Sequence, residues 1–147
     1  MRIEIGSDHR GFGLKEQIIE WLKSRGDDAV DHGCESTDAC DYPDHAFAVG
    51  RAVASHPGTL GVLICSNGIG MSMCANKVPG VRAALCVTPA MASQSRRHND
   101  ANVLVLGAEI TSLEENLRVL ETWLGASFEG GRHVGRVEKM KLGECCK

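Results

Sequence analysis

The chain has 147 residues, 43% of them hydrophobic, 24% charged and 4% aromatic, which suits one domain around one ordinary core. The formal charge of −3 is unevenly spread: residues 1–60 hold 6 Lys/Arg against 11 Asp/Glu, whereas residues 61–147 hold 10 against 8, so the second half is the better host for an anion. With no basic run and few rings to stack on bases, nucleic acid is a poor partner, and no apolar stretch nears the ~18 residues of a membrane span.

Short β-rich runs alternate with longer amphipathic ones along the chain. The runs Arg2–Gly6, Asp27–Asp31, Leu60–Cys65, Arg82–Cys86 and Asn102–Leu106 read as strands. Between them, residues 14–24 place Leu14, Ile18 and Leu22 on one face and Lys15, Glu16 and Lys23 on the other, which predicts a helix. Further helices are expected near 44–55, 70–76, 89–96, 112–124 and in a tail from about 131 to 142. The alternation predicts parallel βαβ units in a single domain, residues 1–147: a Rossmann-like, doubly wound α/β/α sandwich with a five-stranded parallel sheet. Ligands in such sheets bind beyond the carboxyl ends of the strands.

Three polar groups fall at such ends. Asp8 and His9 follow the first strand, Cys65, Ser66 and Asn67 follow the third, and Glu109 lies just past the fifth. Asp8 reads equally well as a helix cap and His9 as a solvated loop residue. Cys65 runs into Asn67-Gly68-Ile69-Gly70, whose glycines let backbone amides turn toward a thiolate or an oxyanion; the alternative is a buried structural thiol, as Cys74 and Cys86 read. This run is neither a dinucleotide fingerprint, lacking its third Gly, nor a P-loop, lacking GK[ST].

Arg132 and Arg136, four apart after Gly130-Gly131, share a helix face suited to a phosphate dianion or else to solvent. His98 precedes the last strand and so belongs at the amino edge, out of reach of Cys65 within one chain; if it is catalytic, the site is assembled between subunits. The seven cysteines, including the vicinal pair Cys145-Cys146, show no CxxC pair and no zinc-type spacing with His, so no metal or cofactor is expected. They read as reduced thiols, and with MRIEIG opening the chain in place of a signal peptide, a cytoplasmic protein is expected.

Taken together, GSDHRGF at 6–12, DYPD at 41–44, GVLICSNGIGMSMCANKVPGVRAALC at 61–86, RHNDANVLVLG at 97–107 and FEGGRH at 128–133 resemble the ribose-5-phosphate isomerase B / galactose-6-phosphate isomerase family nearly end to end. The resemblance implies a metal-free aldose–ketose isomerisation through a cis-enediolate, in a homodimer or dimer of dimers whose sites are shared. Carried over by position, Asp8 and His9 bind and open the sugar ring, His9 also nears the phosphate, and Tyr42 lines the pocket. Cys65 is the base between C1 and C2, the loop Ser66, Asn67, Gly68, Ile69 and Gly70 stabilises the enediolate oxygen, His98 is the ring-opening acid/base, Asn99 binds a hydroxyl, and Arg132 with Arg136 clamps the phosphate.

Two positions depart from that pattern. Asn67 stands where many members have Thr or Ser, leaving Ser66 as a substitute hydroxyl; the branch that has Asn there also has a Glu base two residues on, where this chain has Ile69. Glu109 stands where members commonly carry a substrate-binding Arg, and it is expected either to turn away or to meet a sugar hydroxyl. The implied substrate is ribose 5-phosphate. Galactose 6-phosphate, allose 6-phosphate, a tetrose phosphate, or a weakly active subunit needing a divergent partner are the alternatives.

Overall fold

The computed structural model describes residues 1–143; Cys145 and Cys146 lie outside the described residues. The strands β1 (Arg2–Ser7), β2 (Asp28–Asp31), β3 (Leu60–Cys65), β4 (Ala83–Leu85) and β5 (Val103–Gly107) alternate with helices α1 (Phe12–Ser24), α2 (Tyr42–Ser55), α3 (Ile69–Ala75), α4 (Pro89–Asn99), α5 (Leu113–Gly125) and α6 (Val134–Leu142). All pairings are parallel, in the order β2-β1-β3-β5-β4.

The buried residues divide into two clusters, one for each face of the sheet. On one side Ile3, Ile5, Val62, Ile64, Leu104 and Leu106 meet Leu14, Ile18 and Leu22 of α1, Ala92 of α4, and Val119, Leu120 and Trp123 of α5. On the other, Leu63, Cys65, Val103 and Val105 meet Ala46, Val49 and Val53 of α2 with Met71 and Ala75 of α3. A helix layer on each face leaves no solvated side, which is why β3 and β5 are apolar along their whole length. The chain leaves β1 toward β2 and returns on its other side as β3, so the switch point lies between the carboxyl ends of β1 and β3, where Ser7 pairs with Ile64.

Element ends differ from the sequence expectation in two informative places. Helix α4 continues through Asn99, putting His98 in its last turn; it ends where Asp100 adopts a left-handed φ of 49° and donates its N–H to the Arg96 carbonyl. The Arg82 guanidinium holds the Asp100 carboxylate at 2.8 Å, which fixes that unusual turn. The tail is not one helix from 131: residues Gly131–His133 form a 3-10 turn before α6, because Gly130 and Gly131 take φ of 68° and 56°. Arg132 therefore sits on the turn and Arg136 on α6, rather than on one helix face.

Candidate active site

The switch-point crevice is built by three strand-to-helix connections. After β1, the Asp8 Oδ1 accepts the N–H groups of Arg10 and Gly11, both at 2.9 Å, in the connection into α1, while the Asp8 amide donates to the Ile64 carbonyl at 3.1 Å. Helix α1 takes Gly11 as its N-cap without a side-chain cap, so the Asp8 carboxyl closes the turn before the helix rather than capping it, and Asp8 lines the crevice beside Cys65. His9 is fixed from the far side: its Nδ1 accepts the Cys40 N–H at 3.3 Å, which leaves Nε2 as the protonated nitrogen of the neutral ring.

Cys65 ends β3 almost fully buried, and its Sγ accepts the Gly68 N–H at 3.1 Å. An amide aimed at sulfur stabilises negative charge on it, so the geometry suits a thiolate. Gly68 makes that aim possible: its φ is 78°, and a Cβ there would collide with the Leu85 side chain. Two residues on, the ring of Tyr42 lies where a Gly70 Cβ would come within 2.7 Å of it, so glycine is what lets α2 and α3 close on the pocket. Asp8, Tyr42, Cys65, Ser66, Asn67, Ile69, Gly70 and Met73 line a crevice of about 360 Å³. Met73 is the member that the sequence reading did not single out; its i, i+4 relation to Ile69 at the start of α3 was the available signal.

Both departures from the family pattern have a structural setting. The Asn67 Oδ1 accepts the Ile69 N–H at 3.0 Å, which holds the side chain against the loop and leaves its NH₂ and the second lone pair of Oδ1 for a ligand. Glu109 is bound to the Arg10 guanidinium at 2.7–2.8 Å, both side chains half exposed. Its amide donates to the Ser66 carbonyl at 2.9 Å, so the ion pair ties the connection after β1 to those after β3 and β5. Glu109 thus turns toward Arg10 and is absent from the crevice lining.

A second group lies at the opposite edge of the sheet, because α4 runs from the carboxyl edge after β4 to the amino edge before β5. There the His98 ring stacks on His133, with centroids 4.4 Å apart and planes 8° from parallel. Glu129 approaches His98 Nε2 at 3.7 Å and is gripped by Arg97, Nε at 2.7 Å, while its own N–H donates to the Arg97 carbonyl at 3.1 Å. That hydrogen bond from Arg97, with further cationic neighbours, holds the Glu129 carboxyl below its usual range. His133 is likewise pushed down, first by desolvation and then by the charges of His98, Arg132 and Arg136. Asn99 lines a separate cavity of about 410 Å³ with Asn76, Arg82 and Met140. Within one chain, then, Asp8, His9, Tyr42 and Cys65 gather at one edge and His98, Asn99 and the 3-10 turn bearing Arg132 at the other. His133 was missed by sequence reasoning although it closes the FEGGRH motif.

Fold and crevice together define a doubly wound α/β protein with a crevice at its switch point and a buried thiol in the lining. A family model described as Ribose/Galactose Isomerase matches residues 3–140, and the chain belongs to that family. It is 45% identical over 137 residues to the ribose-5-phosphate isomerase B of Escherichia coli, covering 93% of this chain and 92% of the relative. Among solved structures it is similar to ribose-5-phosphate isomerase B of Clostridium thermocellum, with TM-score 0.97, 47% identity and 99% and 98% of the two chains covered. The corresponding Mycoplasma genitalium enzyme, solved with bound ribulose-5-phosphate, gives TM-score 0.96 at 43% identity, covering 99% and 97%.

Proposed function

We propose that the protein interconverts ribose 5-phosphate and ribulose 5-phosphate. The observation that carries the reading is the Cys65 thiol, seated at the switch-point crevice with the Gly68 N–H on its sulfur and the Asp8 carboxyl in the same lining. In this reading the Cys65 thiolate takes the proton from C2 of the open aldose and returns it to C1, through a cis-enediolate. The amides of the 66–70 loop face the oxygen that gains charge, the interaction that contributes most to such steps. Because the Asn67 amide cannot relay a proton between O1 and O2, the Ser66 hydroxyl takes that part. Each step is a proton transfer, for which side chains and amides suffice without a cofactor.

Asp8 and His9 bind the sugar and Tyr42 bounds the pocket. His98, Asn99, Arg132 and Arg136 come from a second copy of the chain, His98 opening the ring and the arginines holding the phosphate. Support comes from the two edges on which these groups lie, and from the exposed apolar side chains Ile69, Met73 and Ile110 about the crevice mouth, which a second copy would cover. The reading also makes residues 1–147 one cytoplasmic domain, consistent with the free thiols Cys34, Cys40, Cys65, Cys74 and Cys86; among the described residues no helix is long and apolar enough to cross a membrane.

Asn67 and Glu109 favour a second reading, the same chemistry on another sugar phosphate. Assaying the purified chain on ribose 5-phosphate beside allose 6-phosphate, galactose 6-phosphate and erythrose 4-phosphate decides between them. A clear preference for ribose 5-phosphate is expected; preference for another sugar would overturn the first reading.

A further inference from the structure

The half-site at the amino edge contains more than the family pattern accounts for. Glu129 is tied to the end of α4 twice, through its backbone N–H on the Arg97 carbonyl and its carboxylate on the Arg97 guanidinium. The loop so anchored lays the buried His133 ring flat on the ring of His98. The imidazole of His98 is thereby confined to a plane in which Nε2 faces the Glu129 carboxylate at 3.7 Å, within ion-pair range.

We propose that Glu129 is a positioning residue that orients His98, with the stacked His133 ring keeping the imidazole in line. The arrangement follows the general logic of an acid/base histidine oriented by a carboxylate on one nitrogen while the other meets the ligand. The charges around the pair agree. Glu129 is the carboxylate facing both rings, while Arg97 lies on its far side and Arg132 and Arg136 act on His133. Two protonated rings 4.4 Å apart would repel, which adds to the desolvation that already pushes His133 down. The same three residues bring ligand atoms within 4.8 Å of one another. Three nearby guanidiniums and parallel rings whose lone pairs do not converge make this a poor cation site.

The inference rests on His98 acting in ring opening, and the test separates the two. Ribose 5-phosphate is mostly a closed ring, whereas ribulose 5-phosphate is open, so exchange of its C1 proton with solvent needs the Cys65 base and the phosphate clamp but no ring opening by His98. In the Glu129→Gln enzyme, turnover of ribose 5-phosphate should fall about 10-fold. The fall should lie in kcat, with KM for ribose 5-phosphate within about 2-fold of the unmodified enzyme, as a lost orientation of His98 requires. Exchange from ribulose 5-phosphate should stay within about 2-fold of the unmodified enzyme. An unchanged kcat, a loss confined to KM, or an equal fall in both activities would overturn the role of Glu129. If His98→Ala leaves ribose 5-phosphate turnover intact, the underlying reading of His98 fails instead.

Discussion

At the residue scale, the chemistry proposed here depends on one sulfur and its neighbours. Cys65→Ala is expected to abolish turnover while ribulose 5-phosphate still binds, since the base serves the chemical step and other groups serve binding; calorimetry beside a rate assay checks both, and residual turnover above a few per cent would remove Cys65 as the base. The Arg10–Glu109 pair gives a second test. Exposed ion pairs are worth about 0–1 kcal/mol, so its loss should scarcely change the melting temperature. Its effect is electrostatic: Glu109→Gln frees the Arg10 charge beside an anion site, and KM for ribose 5-phosphate should fall several-fold, whereas a raised KM would mean that the carboxylate itself contacts the sugar. The positions of Asp8, His9 and Cys65 were legible in the sequence because Asp8 and His9 follow β1 and Cys65 closes β3. Arg10 was not, because its partner lies 99 positions away and only the folded crevice brings them together.

At the element scale, periodicity located all five strands and all the helices, since burial on both faces of a parallel sheet writes continuous apolar runs into β3 and β5. It misplaced the ends where backbone conformation decides: the left-handed Asp100 beyond α4, and the glycines that make a 3-10 turn before α6. Gly68 is where such local geometry matters most for function. Gly68→Ala forces a side chain into a positive φ and against Leu85, so it should destabilise the protein by about 1–3 kcal/mol and cut turnover by more than its effect on KM. Melting and steady-state kinetics on one preparation check this. In β1, Glu4 is fully buried; desolvation raises its carboxyl, but bonds from His32 at 2.7 Å and Arg2 at 2.7 Å win and leave it lowered. A group depressed in the folded state stabilises above its unfolded value and ceases to do so as pH falls through the folded one. Stability should therefore decline below about pH 4.5, and Glu4→Gln should flatten that part of the curve of melting temperature against pH.

At the scale of the whole molecule, the sequence order of the βαβ units already implied that His98 lies across the sheet from Cys65, because a helix following one parallel strand must end at the start of the next. What the order did not reveal is how the far edge is organised, with His133 stacked on His98 and Glu129 anchored to Arg97, since those contacts join segments more than 30 positions apart. In the shared site proposed above, a two-fold pairing would cover the exposed apolar rim of the crevice and bring the cationic far edge to it.

The measurement that tests this shared site most directly is complementation between two inactive chains, Cys65→Ala and Arg132→Ala combined with His98→Ala, co-expressed under different tags and isolated as the mixed species. If each site takes its thiol from one chain and its histidine and arginine from another, the isolated mixed dimer regains about one half of the unmodified activity, because one of its two sites is intact and the other carries every substitution. If verified mixed dimers stay as inactive as their parents, the two half-sites do not serve one reaction and the account is contradicted.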